Sequence, residues 1–293
     1  PEMTAMSATA GKTPYARVPT NMANASNGVD YAYRQVGSES GVPLVMLHHF
    51  RGNLDAWDPA LIDDLASSRR VITFNGRGVA SSSGTTPSTF AEMAKDALDF
   101  IDALGLDTVD LLGFSIGSFV AQEIALIRPA AVRRVILAAS APQGASGMHG
   151  WPAKVMDALG QPQPGLEEYL SVFFTQSEVG AAAGMEVAGR IFGGRTADRD
   201  EQSDWATRLA QYDAVCDWGV PNHSLLQRVT AIDKPVFVAS GDSDPMIPAR
   251  YSYLLAGLLP DCRIKIYLDS AHGFLFQYHA EFAADVEAFL SAP

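Results

Sequence analysis

The stretch Gly113-Phe114-Ser115-Ile116-Gly117 carries residues that could do chemistry. It follows the apolar run Val109-Asp110-Leu111-Leu112 and opens Ile116 to Arg128, which is apolar at helical spacing. A strand turning sharply into a helix pushes the residue at the bend out of the sheet edge. Flanking glycines let the two segments approach closely enough for that bend. Ser115 is therefore a candidate nucleophile. A serine hydroxyl is a poor nucleophile until a base takes its proton. That base is usually a histidine, and the histidine is held by a buried carboxylate. Two later stretches offer both groups. Ser240-Gly241-Asp242-Ser243-Asp244-Pro245-Met246-Ile247-Pro248 follows the apolar run from Pro235 to Ala239. Asp269-Ser270-Ala271-His272-Gly273-Phe274 follows Ile264 to Leu268. Each reads as a loop past the carboxyl end of a strand, where sites gather in open parallel sheets.

The elements that would position these loops alternate along the chain. Strands are expected at Val29 to Val36, Val42 to Leu47, Val71 to Phe74, Val109 to Leu112, Arg134 to Ala138, Pro235 to Ala239 and Ile264 to Leu268. Thr89 to Leu104 reads as a helix whose face is Phe90, Met93, Ala94, Ala97, Leu98, Ile101 and Leu104. Thr89 with Glu92 fits a capping box, and Gly105 fits the stop. A last helix is expected over about Ala280 to Leu290. Strands alternating with helices imply a mostly parallel sheet covered on both faces. Residues 28–140 and 227–293 are expected to form this core. Residues 141–226 hold no clear strand run and many aromatics, among them Trp151, Tyr169, Phe173 and Trp218, and read as a helical insertion. Residues 1–27 are rich in Ala, Thr, Ser, Asn and Pro and are expected to be an extended or disordered lead-in. They lack a basic patch followed by an apolar core, so they do not read as a secretory signal, and the first residue, Pro1, suggests a trimmed end.

With these motifs in order, the chain resembles the α/β-hydrolase superfamily, in its serine esterase, lactonase and haloperoxidase-like branch, from about Val29 to Leu290. Gly113 to Gly117 matches the nucleophile elbow, Gly241-x-x-Asp244-x-x-x-Pro248 the acid turn, and Ala271-His272-Gly273 the base loop. Asn75-Gly76-Arg77-Gly78 looks like the family's D-x-R-G turn with Asn in place of Asp. The resemblance implies an eight-stranded, mostly parallel sheet flanked by helices, with a helical lid inserted after the sixth strand. It implies Ser115 as nucleophile, Asp244 as acid and His272 as base. Asp242 is the rival acid, more suited to local hydrogen bonds in its turn. Asp269 lies too close to its strand end and to His272 to come first. His149, His223 and His279 read as packing or surface histidines.

The family's oxyanion hole takes one N–H from the residue after the nucleophile, here Ile116, and one from the loop after the third strand. That loop reads His48-His49-Phe50-Arg51-Gly52, where relatives usually have H-G-x-x-G. The second donor maps to Phe50, and His48 is expected to hold the loop. His49 replaces a glycine and adds an imidazole beside the site; His49, Trp151 and Phe173 are candidate pocket residues. Gln122 and Glu123 read as solvated surface, and Arg51 and Arg77 as structural partners of nearby aspartates.

Composition limits the partners. The net charge of −12 would repel nucleic acid and anionic membrane surfaces. No run approaches the ~20 apolar residues of a membrane span. Cys216 and Cys262 stand far apart in no metal spacing and read as free thiols of a reducing compartment, which points to the cytoplasm. There is no phosphate-loop, dinucleotide or Cys/His metal motif, so no cofactor is expected. The expected partner is a small-molecule substrate; the sequence leaves a homo-oligomer open. The resemblance implies acyl-enzyme hydrolysis of a small to medium, largely apolar carboxylic ester or lactone. The same triad in relatives also serves C–C bond hydrolysis, perhydrolysis, amide hydrolysis and low-turnover ligand reception. Dehalogenase and epoxide hydrolase relatives place Asp where this chain has Ser115.

Overall fold

A computed structural model of the chain describes residues 13–293. Its strands are β1 (Asn21–Asn24), β2 (Asp30–Gly37), β3 (Leu44–Leu47), β4 (Arg70–Phe74), β5 (Val109–Phe114), β6 (Val132–Ala138), β7 (Val236–Gly241) and β8 (Cys262–Tyr267). They form one sheet in the order β1-β2-β4-β3-β5-β6-β7-β8. The β1/β2 and β2/β4 pairs are antiparallel; every other pair is parallel. The strands β3, β5, β7 and β8 therefore end on the same edge. β3, β5 and β7 are buried along their whole length, as apolar strands covered on both faces must be.

Helices α1 (Pro59–Ala66), α2 (Phe90–Ala103) and α3 (Ile116–Ile127) lie in the first half of the chain. Thr89 caps α2 by accepting the Glu92 N–H at 3.2 Å, while its own hydroxyl donates to the Glu92 carboxylate at 3.0 Å. Gly105 takes φ +66° at the stop. Between β6 and β7 the chain runs through α4 (Ala153–Leu159), α5 (Leu166–Phe173), α6 (Glu178–Gly193), α7 (Trp205–Trp218) and α8 (His223–Leu226), with no strand. Trp218 anchors this insertion to the core. Its ring stacks on Phe119 of α3 at 5.0 Å and meets Phe90 of α2 edge-on at 5.6 Å, and its N–H donates to the Ala141 carbonyl. The chain finishes with α9 (Arg250–Leu258), α10 (Phe274–Gln277) and α11 (His279–Leu290).

One sequence expectation needs correction. Residues 1–12 of the lead-in lie outside the described residues, but residues 13–27 belong to the body of the fold. They form a short 3-10 turn at Tyr15–Arg17 and strand β1. The Tyr15 hydroxyl donates to the Leu54 carbonyl at 2.6 Å and meets the Thr73 hydroxyl at 2.9 Å. The buried Arg34 guanidinium pairs with Asp55 at 2.7 Å, binds the Thr20 hydroxyl and lies over the Tyr15 ring. The polar composition hid a single aromatic anchor and a strand of only four residues, too short to show a period.

The turn after β3 carries His48, whose ring nitrogens are shielded from solvent and whose ring packs on the buried Trp57 at 5.3 Å. Burial holds this imidazole down at about 4, against an opposing pull from the Asp200 carboxylate. A base whose folded pKa lies below its unfolded value of 6.5 costs stability on acidification, because the unfolded chain takes up the proton first. The stability is complete above pH 6.5 and is lost as pH falls towards 4, by roughly 3 kcal/mol in all. Chemical denaturation between pH 7 and 4 should show this slope, and His48→Gln should flatten it; an unchanged slope in the variant would refute the assignment.

Candidate active site

Ser115 sits between β5 and α3 with φ +57° and ψ −124°. A side chain at positive φ costs about 1–3 kcal/mol, so the surroundings must enforce it. The two glycines show how. A Cβ at Gly113 would lie 2.3 Å from the Gly117 carbonyl oxygen, and one at Gly117 would lie 2.2 Å from the Leu47 carbonyl oxygen. Nothing larger than hydrogen fits at either position while β5, α3 and the end of β3 approach this closely. The Ser115 N–H donates to the Ala138 carbonyl at 2.9 Å. Its carbonyl accepts from the Ser118 hydroxyl at 2.5 Å, and Ser118 also contacts the Ser140 hydroxyl at 2.6 Å. Gln122 donates to Ser140 and to the Ala141 carbonyl, and Glu123 pairs with Arg228 at 2.6 Å. Both residues are only 2% exposed, which corrects the expectation of a solvated surface. α3 is covered on the side they occupy, and sequence spacing alone could not show that cover.

The acid and base loops meet at the same edge. His272 Nδ1 lies 2.7 Å from Asp244 Oδ2. The other Asp244 oxygen accepts the N–H groups of Met246 and Ile247 at 2.8 and 3.0 Å, which fixes the carboxylate in its turn. A carboxylate oxygen accepts in this contact and Nδ1 donates; in the neutral tautomer that donates here, Nε2 is the acceptor nitrogen. Neither His272 Nε2 nor Ser115 Oγ has a hydrogen-bond partner among the described residues, and both are shielded from solvent. Asp242 has a different task. It accepts the N–H groups of Asp269 and Ser270 at 3.1 and 3.2 Å and so ties the acid turn to the base loop. Asp269 faces outward and accepts the Thr175 and Ser177 hydroxyls at 2.8 and 2.7 Å, linking the base loop to the start of α6.

Ile116 is the first residue of α3, where an N–H has no acceptor within the helix. Phe50 lies in the loop after β3, and its N–H has no acceptor among the described residues. The positive φ of this loop falls on Arg51, at +62°, and not on His49. The exchange of the usual glycine for His49 therefore costs no backbone strain at position 49. The His49 ring packs between Phe114 at 5.2 Å and Phe173 at 5.4 Å. Burial, with like-charge pressure from His48 and His272, holds its pKa well below the ordinary value. His49 is thus a neutral imidazole at neutral pH.

A cavity of about 780 Å³ opens beside the loop. His49, Phe50 and Phe173 border it, with Tyr169, Ile191 and Phe192 from the insertion. Trp151 does not border it. Its ring meets Phe50 edge-on at 4.8 Å and Tyr212 at 5.4 Å, so it backs the loop instead of lining the space. Tyr169, one of the insertion's aromatics but not among the individual pocket candidates, stands on this wall as well. The signal for it was its four-residue spacing from Phe173, which stacks the two rings at 4.2 Å on one face of α5. The charged groups on the wall are engaged by the protein. Asp55 holds Arg34, Arg199 donates to the Ile191 and Arg195 carbonyls, and Arg51 donates to the carbonyls of Leu159, Gln161 and Pro162. Arg51 therefore has carbonyl partners, not the expected aspartate, whereas Arg77 does pair with Asp96 at 2.9 Å.

Ser115 and His272 are both fully buried, and neither borders the cavity. Phe173 lies between, on the cavity wall and edge-on to the His272 ring at 5.2 Å. The other histidines lie elsewhere: His149 meets the Cys216 carbonyl at 2.7 Å, His279 meets Asp64 at 2.6 Å, and His223 stands exposed at the start of α8. Among the described residues no helix is long and apolar enough to cross a membrane.

Comparison with known proteins identifies the fold. The profile of the alpha/beta hydrolase fold matches residues 42–277. A solved alpha/beta hydrolase fold protein from Chitinophaga pinensis is 39% identical, with a TM-score of 0.90, covering 96% of this chain and 100% of that one. A non-heme chloroperoxidase of Streptomyces lividans is 26% identical over 91% of this chain and 98% of its own length. A poly(3-hydroxyalkanoate) depolymerase of Ectopseudomonas oleovorans is 28% identical over 80% of this chain and 78% of its own. The eight-stranded sheet, the strand order and these matches agree: the chain belongs to the alpha/beta hydrolase fold family.

Proposed function

We propose that the protein is a serine hydrolase that cleaves a small to medium, largely apolar carboxylic ester or lactone through an acyl-enzyme. The observation that carries this reading is the His272 Nδ1–Asp244 Oδ2 contact of 2.7 Å, taken with a buried serine at positive φ: neither its hydroxyl nor His272 Nε2 has a hydrogen-bond partner among the described residues. Ser115 Oγ forms a bond to the acyl carbon while its proton passes to His272 Nε2. The carbonyl electron pair moves onto oxygen, where the Ile116 and Phe50 N–H groups meet the new charge. Asp244 keeps His272 in the required tautomer and offsets its positive charge. Collapse of the tetrahedral adduct breaks the bond to the leaving oxygen, which takes the proton from His272. Water then gives its proton to His272 and its oxygen to the acyl carbon, and Ser115 leaves with that proton. No external oxidant or reductant is required.

The apolar preference rests on the cavity. Its aromatic wall offers area for burial at about 25 cal/mol per Å². Its charged groups already hold protein partners, so an ionic acyl group would be desolvated without compensation.

Ser115→Ala should lower kcat on a nitrophenyl ester series by several orders of magnitude, because triad members act as a unit. A fluorophosphonate should label the wild type at Ser115 and leave the variant unlabelled. A loss of only a few-fold would show that another group is the nucleophile. Asp244→Asn should cost far more in kcat than Asp242→Asn, whose carboxylate only accepts backbone and hydroxyl groups; the opposite order would exchange their roles. Phe173→Leu, which shortens the side chain between cavity and base, should raise kcat/KM for long acyl chains relative to acetyl about tenfold. An unchanged ratio across chain lengths would remove Phe173 from the substrate path.

A further inference from the structure

The loop that carries Phe50 is held by the insertion, not by the sheet. Arg51 is held at its backbone N–H, its carbonyl and both terminal guanidinium nitrogens. Its N–H donates to Gln211 Oε1 at 2.8 Å and its carbonyl accepts the Ser203 hydroxyl at 3.0 Å. Its guanidinium donates to the carbonyls of Leu159, Gln161 and Pro162 at 3.0, 2.6 and 3.0 Å. All of these partners lie between β6 and β7 in the chain, more than a hundred residues away. The next residues repeat the pattern. Asn53 donates to the Glu201 carbonyl at 2.7 Å, and the Leu54 N–H donates to Asp200 at 3.0 Å. An arginine at φ +62° relaxes to the ordinary region unless it is restrained, since a side chain there costs roughly 1–2 kcal/mol. The restraint at its N–H is Gln211, which is buried on α7.

We propose that Gln211 is a positioning residue for the oxyanion hole: by holding the Arg51 N–H, it sets the direction of the Phe50 N–H one peptide plane away. This inference rests on the proposed acyl-enzyme reading, in which Phe50 is a donor. Only a group that stabilises the transition state more than the bound ester changes kcat at constant KM. A donor swung off its acceptor loses much of that stabilisation, because the interaction weakens steeply as it bends. Loss of a whole donor costs about 10²–10³ in kcat, so its misdirection should cost about 10–100-fold.

Three variants separate the possibilities. Gln211→Met keeps the length and volume of the side chain and removes the acceptor. Gln211→Glu keeps an acceptor oxygen at the same position. Ser203→Ala releases the Arg51 carbonyl without touching α7, and serves if the Met variant fails to fold. Each is assayed for kcat and KM on a nitrophenyl ester, for inhibition by an alkyl trifluoromethyl ketone, and for binding of the product carboxylic acid. Ser115 adds to the ketone carbon and leaves a charged oxygen in the hole, so the ketone reports the hole directly. Gln211→Met should lose 10–100-fold in kcat and in ketone affinity together, with KM and acid binding within about twofold. Gln211→Glu should recover most of both, and Ser203→Ala should lose several-fold in the same two quantities. Equal losses in KM and acid binding, or an unchanged ketone affinity, would overturn the proposal and leave Gln211 a packing residue. A Ser115→Ala enzyme that still turns over would instead sink the acyl-enzyme reading itself.

Discussion

No carbon atom can be added to residue 113 or 117, and the site depends on that exclusion. The elbow forms because the end of β5, the start of α3 and the end of β3 lie within contact distance of one another. A Cβ at Gly117 would meet the carbonyl oxygens of both Leu47 and His48. That same contact sets the loop after β3 against the first turn of α3. It therefore brings the loop that carries Phe50 close to the helix start that carries Ile116. The positive φ of Ser115 is a consequence of this closeness. Parallel pairing then brings the ends of β7 and β8 to the same rim, so two more loops arrive without any further contrivance.

Much of this was legible in the residues. Apolar runs gave seven of the strands, and turn chemistry gave the loops that carry Ser115, Asp244 and His272. The capping box at Thr89 and Glu92 and the stop at Gly105 were readable because they are local, spanning one helix turn or one residue. The misses were of the opposite kind. The four residues of β1 carry no period, and only tertiary pairing to β2 makes them a strand. Gln122 and Glu123 were assigned to solvent because their polarity is visible and their cover is not; Arg228 and Ser140 reach them from distant parts of the chain. The cavity was hardest to foresee. Its wall mixes residues 49–56 with residues 159–203, and only the fold brings those together.

His49 shows how such a departure can be tolerated. A glycine in the oxyanion loop suggests a need for positive φ, and an imidazole in its place suggests strain. The chain places the unusual dihedral two residues later, on Arg51, where hydrogen bonds from the insertion can hold it. Position 49 is then released for a ring that fills the space between Phe114 and Phe173. Burial, with like-charge pressure from His48 and His272, keeps that ring uncharged.

Asn75 carries a consequence for how such proteins can be recombined. Its amide donates to Asp200 at 2.7 Å, and Asp200 also receives Ser81 and the Leu54 N–H. An aspartate at 75 would set two carboxylates against each other there. The core turn and the insertion are thus keyed to one another through opposite halves of a single hydrogen bond. A chimera that grafts a foreign β6–β7 segment onto this sheet, or this segment onto a sheet with aspartate in that turn, inherits a mismatch at the joint unless both halves travel together.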